Sequence, residues 1–152
     1  MADEVIVREA TKADWLNIAA LLTRADLPLA GAEDHLCGFV VAVRGEEVLG
    51  CAGLERYGAT GLLRSVAIEA AERGLGLGAR LVGRILQQAE AQGIDQVVLL
   101  TETARDYFPR FSFRTIARNG APAPTLASLE FTTLCPESAT VMLWTRPGDG
   151  RP

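Results

Sequence analysis

The stretch Ser65–Leu86, SVAIEAAERGLGLGARLVGRIL, leaves the chain few ways to fold. A short apolar run passes into Gly74, Gly76 and Gly78, and then into a pattern with Leu81, Val82, Ile85, Leu86 and Ala89 on one helical face. A strand that feeds a helix through so short a turn must cross back over its own sheet. The next apolar run, Asp95–Thr101, is therefore expected to lie roughly parallel to the strand at 62–68 in a β-α-β unit, with Gly93 stopping the helix. Glycines at a strand-to-helix corner also let backbone approach a ligand, and the first turn of the helix presents unpaired N–H groups at the positive end of its dipole. Such a corner is an anion site, most naturally for a pyrophosphate. A tight connection without a ligand is the other reading of the same string. Its spacing is not the G-x-G-x-x-G of a dinucleotide fingerprint, and it lacks the G-K-[ST] ending of a phosphate-binding P-loop.

Around this unit the elements alternate without repeats. Glu4–Ala10 reads as an opening strand, and Thr11 with Asp14 forms a capping-box pattern for a helix with Trp15, Ile18, Ala19 and Leu22 on one face, ended by Leu27-Pro28. Phe39–Val43 and Glu47–Tyr57 flank Gly45-Glu46, a hairpin signal, and Gly61–Ile68 adds a third antiparallel strand. A short helix is expected over Thr103–Arg110 and strands over Arg114–Arg118 and Thr140–Thr145, with an irregular connection at Asn119–Pro124. The fold class is thus mixed α/β, a meander joined to a parallel pair. One domain is expected over residues 1–146, with a mobile tail at 147–152.

Composition narrows the function. The 152 residues are 49% hydrophobic with a net charge of −4, so a full core is available and the electropositive footprint of a nucleic-acid binder is missing. No apolar run has the length of a membrane span, and the acidic start MADEVIVREA is unlike a secretory signal, which makes the expected location cytoplasmic. Cys37, Cys51 and Cys135 form no C-x-x-C pair and read as small buried hydrophobes, with neither disulfide nor metal implied.

Arg73-Gly74-Leu75-Gly76-Leu77-Gly78 matches the R-x-x-G-x-G signature of the GNAT N-acetyltransferases, and SVAIEAAE resembles the strand that precedes it in that family. Leu99–Phe113, LLTETARDYFPRFSF, is similar to the family's following strand and helix, which end in an aromatic-x-x-x-G-F pattern. The resemblance covers most of the chain. Within the family, GLERYGATGLLRSVAI, LLTETARDYF and EFTTLCPESATVM resemble the arsenic-resistance N-acetyltransferases of the ArsN type.

The resemblance implies a GNAT acyl-CoA N-acyltransferase fold, its mixed antiparallel and parallel sheet splayed at a central V-shaped cleft that takes acetyl-CoA. Backbone groups of Val66 and Ile68 would pair with the pantetheine arm, and N–H groups of Arg73, Gly74, Leu75, Gly76, Leu77, Gly78 and Ala79 would hold the pyrophosphate. The Arg73 side chain either reaches a phosphate or is a solvated surface arginine. Thr101, Ala104 and Phe108 fall where the family continues its cofactor contacts. Chemistry would be direct attack of a neutral amine on the thioester, whose carbonyl is stabilised by a backbone N–H near Val66.

Several expected groups are displaced. Leu62-Leu63 stand where relatives carry a glutamate, Phe108 replaces the tyrosine acid, Ser112 a glycine and Thr101 an asparagine. Among substitute bases Glu55 is favoured over Glu33, Asp34 and His35, against the reading of Glu55 as a solvated strand end. Arg64 either attracts an anionic group on the acceptor or pairs with Glu55 across the sheet.

The expected activity is acetyl transfer from acetyl-CoA to the primary amine of a small, amino-acid-like acceptor, arsenical or phosphinic at the branch level. An acetyl-CoA-binding or arsenic-responsive accessory with little turnover is the alternative, and acetylation of a protein N-terminus is a third. Convergence of the three cysteines on trivalent arsenic is the sharper reading of those residues. No metal is implied, and the chain is expected as a monomer or a homodimer.

Overall fold

The computed structural model describes residues 4–128, 130–131 and 138–148. Its strands are β1 (Val5–Glu9), β2 (Phe39–Arg44), β3 (Glu47–Tyr57), β4 (Thr60–Ile68), β5 (Gln96–Thr101), β6 (Arg114–Ile116) and β7 (Thr140–Thr145), and its α-helices are α1 (Trp15–Arg24) and α2 (Leu77–Ala91). The seven strands hydrogen-bond in the order β1-β2-β3-β4-β5-β7-β6, a mixed sheet. Chain contacts divide it into two compact units, Met1–Glu55 with Leu63–Gln87, and Arg56–Leu62 with Gln88–Pro152.

In the first unit β1 and β2 pair antiparallel from Val5↔Arg44 to Glu9↔Val40, and the β2–β3 hairpin turns at Gly45-Glu46 with Gly45 at φ 63°. That left-handed φ is the one a tight hairpin requires and glycine meets without strain. The core joins Ile18, Leu21 and Leu22 of α1 to Phe39, Val41 and Val43 of β2 and to Cys51 of β3, with Trp15 packed against it. Leu21 takes the place expected for Ala19, which is part-exposed. The i, i+3, i+4 spacing of Ile18, Leu21 and Leu22 buries the larger side chains. The helix ends at Arg24, followed by Asp26 at φ 60°, before Leu27-Pro28 is reached.

Ahead of α1 the capping pattern is built around a carboxylate. Asp14 accepts from the Thr11 backbone N–H at 2.7 Å and takes a bidentate pair from Arg8, at 2.8 and 3.0 Å. This side chain is 6% exposed.

The second unit is organised on β5. It runs parallel to β4 through Thr60↔Gln96, Gly61↔Val97 and Leu62↔Val98, and antiparallel to β7 along its whole length, Gln96↔Thr145 to Thr101↔Thr140. The expected parallel crossover is present, with its paired residues at the start of β4. Between β5 and β6 in sequence no local signal announces that β7 inserts between them; β6 then pairs on β7's far side from Arg114↔Leu143 to Ile116↔Val141. Leu62, Val98, Val141 and Leu143 form its core with Ala121 and Phe131. Gly93, at φ 77°, follows the end of α2 as expected.

Two expectations are corrected here. The helix at Thr103–Arg110 is instead a 3-10 turn over Phe108–Phe111, because Pro109 has no N–H to continue an α-helical ladder. The strand expected over Arg114–Arg118 ends at Ile116, since a 3-10 turn occupies Arg118–Gly120, and the Asn119–Pro124 connection leads into a second such turn at Ala123–Ala127. Residues 149–152 of the expected tail lie outside the described residues, while 147 and 148 are exposed.

Because Arg8 and the Thr11 N–H hold its carboxylate, Asp14 titrates at about 2 instead of 3.8. A depressed folded-state value means that its contribution to stability is complete above the ordinary value and is lost as pH falls toward 2. Urea denaturation of Asp14→Asn should show a loss of about 1–2 kcal/mol at pH 7. The same substitution should cost little near pH 2, where the wild-type carboxylate is itself being protonated.

Candidate active site

The expected glycine turn is present, with Gly74 and Gly76 in left-handed backbone and Gly78 already inside α2. Gly74 and Gly76 lie at φ 84° and 82°, and a Cβ built on either would meet no atom within 4 Å. Glycine is required here for conformation rather than for room, since two left-handed residues so close together would strain any side-chain-bearing residue. The chain enters α2 at Leu77, which is buried, and the Arg80 N–H closes the first helical bond on Gly76 O at 3.2 Å. The N–H groups preceding Arg80 in this first turn have no helical carbonyl before them. Arg73, Leu75 and Ala79 are exposed, and Gly78 is half-buried. Arg73–Gly76, Gly78 and Ala79 thus form an accessible corner at the positive end of a 15-residue helix, while Leu77 between them is buried.

Upstream on β4, Val66 and Ile68 are half-buried, and Ser65 sits at φ 60° inside the strand. A left-handed residue interrupts the extended backbone immediately before Val66. The sequence offered no sign of it, because serine is not a residue that marks such a conformation.

Glu55 and Arg64 are brought together in the same unit. Arg64 Nη1 donates to Glu55 Oε2 at 2.7 Å, Nε to Ser65 Oγ at 3.0 Å, and Nη2 to the carbonyls of Ala30 at 3.0 Å and Pro28 at 3.2 Å. Glu55 is 1% exposed and Arg64 3%. Of the two readings of Arg64, the ion pair is the one observed. Glu55 is not a solvated strand end; β3 carries it inward, where the guanidinium compensates a charge that burial would otherwise penalise. His35, on the 3-10 segment Glu33–Gly38, places Nε2 3.9 Å from Glu55 Oε1, and its side chain is 30% exposed. Glu33 and Asp34 point into solvent.

In the second unit Thr101 ends β5, and its Oγ1 accepts the Ala104 N–H at 3.0 Å. Phe108 is buried in an edge-to-face cluster, its centroid 5.3 Å from Tyr107 and 5.8 Å from Phe113. Arg110 stacks over the Tyr107 ring at 4.3 Å, and burial raises the Tyr107 hydroxyl above its ordinary range. Ser112 adopts φ 71°, ψ 21°, the left-handed conformation suited to the glycine that the family pattern carries there.

The cysteines do not all read as expected. Cys51 is buried, and desolvation pushes its thiol up to about 12, which makes it inert. Cys37 is exposed, because the 3-10 segment carries it on the surface. Cys135 lies outside the described residues, with the rest of 132–137 in the stretch EFTTLCPESATVM. Among the described residues no group of three His, Cys, Asp or Glu side chains could hold a metal, and no helix is long and apolar enough to cross a membrane.

The sequence model of the Acetyltransferase (GNAT) family matches residues 6–113, and the chain belongs to this family. It is similar to glucosamine 6-phosphate N-acetyltransferase 1 of Oryza sativa subsp. japonica, 33% identical over 94 residues, which is 62% of this chain and 55% of that protein. In structure it resembles the N-acetylglutamate synthase of Neisseria gonorrhoeae solved with coenzyme A and N-acetyl-glutamate, with a TM-score of 0.80 at 20% identity over 93% of this chain and 35% of that one. A GNAT-family acetyltransferase of Staphylococcus aureus gives a TM-score of 0.76 at 15% identity, covering 93% of this chain and 99% of its own. The chain spans about half the length of the curated relative and about a third of the synthase.

Two substitutions test this geometry. Arg64→Met removes the guanidinium from a buried carboxylate and should cost about 3–5 kcal/mol in denaturant unfolding. Ser112→Gly relieves a left-handed residue and should stabilise the protein by about 1 kcal/mol in the same assay.

Proposed function

We propose that the protein transfers an acetyl group from acetyl-CoA to the primary amine of a small acceptor by direct attack. Family membership supports the reaction class, and the observation that carries the reading is the exposed corner at Arg73–Ala79, where left-handed Gly74 and Gly76 lead into the N-terminus of α2. A diphosphate is the anion such a corner suits. The relatives solved with coenzyme A give the same indication.

In this reading the backbone of Val66 and Ile68 accompanies the pantetheine arm. The Val66 N–H, next to the left-handed Ser65, stabilises the carbonyl oxygen as the amine nitrogen bonds to the thioester carbon. The C–S bond breaks and the thiolate leaves. Phe108 has no hydroxyl to protonate it, so water does. Proton removal from the ammonium is assigned to the Glu55–His35 pair: Arg64 holds the carboxylate, and His35 is the neighbour that faces solvent. Arg64 acts through Glu55, since its own donors are engaged inside the fold.

The acceptor class we favour is an amino-acid-like amine, arsenical or phosphinic, and the work is placed in the cytoplasm. Its support is the sequence resemblance of GLERYGATGLLRSVAI and LLTETARDYF to the arsenic-resistance branch. Buried Phe108 favours a second reading, an acetyl-CoA-binding protein with little turnover.

Calorimetric titration with acetyl-CoA, followed by a thiol-release assay over amino acids and their arsenical and phosphinic analogues, separates these readings. Binding with release on one such acceptor is the expected result. Binding without release on any amine favours the accessory, and absence of binding overturns both. Glu55→Gln should lower kcat for thiol release about 100-fold while leaving acetyl-CoA affinity unchanged.

A further inference from the structure

The loop that carries Gly74 and Gly76 has little packing of its own. Residues 73–76 are exposed, Leu75 with 67% of its surface open. Its far end is fixed by α2, through buried Leu77 and the Arg80–Gly76 bond. Its near end is the single turn Ala70–Glu72, tied to its surroundings by the carboxylates of Glu69 and Glu72 and by the Glu69 N–H, which donates to Leu49 O at 2.8 Å. Arg24, in the last turn of α1, donates Nε and Nη2 to the two oxygens of Glu69, at 3.1 and 2.9 Å. Arg44, at the end of β2, donates Nη1 and Nη2 to the two oxygens of Glu72, at 3.2 and 3.0 Å. Both are planar forks, and a fork fixes the orientation of the carboxylate as well as its distance.

We propose that Arg44–Glu72, backed by Arg24–Glu69, are positioning residues for the anion-binding loop, holding the corner so that the backbone N–H groups of 73–79 are ordered before a ligand arrives. The inference rests on the acetyl-CoA reading above. An exposed glycine loop that is disordered when free must be ordered on binding, and that cost is subtracted from affinity. Two forks at its entrance remove part of the cost in advance. Surface ion pairs contribute little to global stability, so the effect belongs in loop order and ligand affinity rather than in the melting temperature. Arg44 also holds the Glu72 carboxyl below the ordinary carboxylate range, so the fork is intact at neutral pH.

The test compares wild type with Glu72→Gln, Arg44→Lys and the double exchange Arg44→Glu/Glu72→Arg, by amide hydrogen exchange at 73–79 without ligand and by acetyl-CoA titration. Glu72→Gln removes the charge, and Arg44→Lys keeps the charge but loses the fork. In both, loop amides should exchange faster while the interior of α2 is unchanged, and acetyl-CoA should bind about five- to tenfold more weakly. KM for acetyl-CoA should rise by the same factor with kcat unchanged, and the double exchange should recover most of the affinity. Unchanged exchange or unchanged affinity in both single variants overturns the proposal. So does a double exchange that stays as weak as the singles with a lowered melting temperature, which would mark a merely structural role. Should wild type bind no acetyl-CoA, the functional reading fails, and loop exchange alone then decides whether the forks order the corner.

Discussion

One buried guanidinium holds much of the first unit in place. Arg64 reaches from β4 to Glu55 on β3, to the hydroxyl of Ser65 beside it and to the carbonyls of Pro28 and Ala30 beyond α1. A cation so deeply buried is tolerable only when its donors are met by a carboxylate and by carbonyl oxygens with no competing helix or sheet ladder. In meeting them it fixes three stretches that are far apart in sequence. His35 comes beside the carboxylate because the segment after Ala30 is tied to the same centre. The left-handed Ser65 accepts from Arg64 Nε through its side chain, so the kink in β4 and the buried charge support each other.

The same contrast between charge and backbone runs through the anion corner. In the proposed reading its donors are main-chain N–H groups, which cannot be mutated away, and its conformation depends on glycines that no neighbour crowds. What side chains contribute there lies upstream, at Glu69 and Glu72. In the second unit aromatic packing encloses Phe108 between Tyr107 and Phe113. A buried ring fills the space of a tyrosine and supplies no proton, which leaves protonation of the leaving thiolate to water in the proposed reaction.

Local sequence carried the elements well where the signal was periodic or steric. The five apolar residues expected on one face of α2 are all buried, Gly45 and Gly93 sit at left-handed turns, and the Thr11–Asp14 pattern does begin the approach to α1. It failed at 103–110, where apolar and aromatic residues imitated a helix and Pro109 prevented one. It left Glu55 open between an inward-facing base and a solvated strand end, since a glutamate after an apolar run fits either. Its burial depends on Arg64, nine residues away, and nothing within the run CAGLERY announces that partner.

The sequence by itself determined the glycine corner, the parallel crossover and the family, because each is written in consecutive residues: glycines whose φ only they adopt easily, a helix whose apolar face has one period, and a motif with fixed spacing. Only the tertiary structure decided that β7 inserts between β5 and β6, that Arg64 is spent on Glu55, and that Arg24 and Arg44 hold the entrance to the loop. The ion pairs among these span 9 to 45 residues of chain. An ion pair or a strand partner at that separation is selected by which elements the core brings together, and no local preference encodes it.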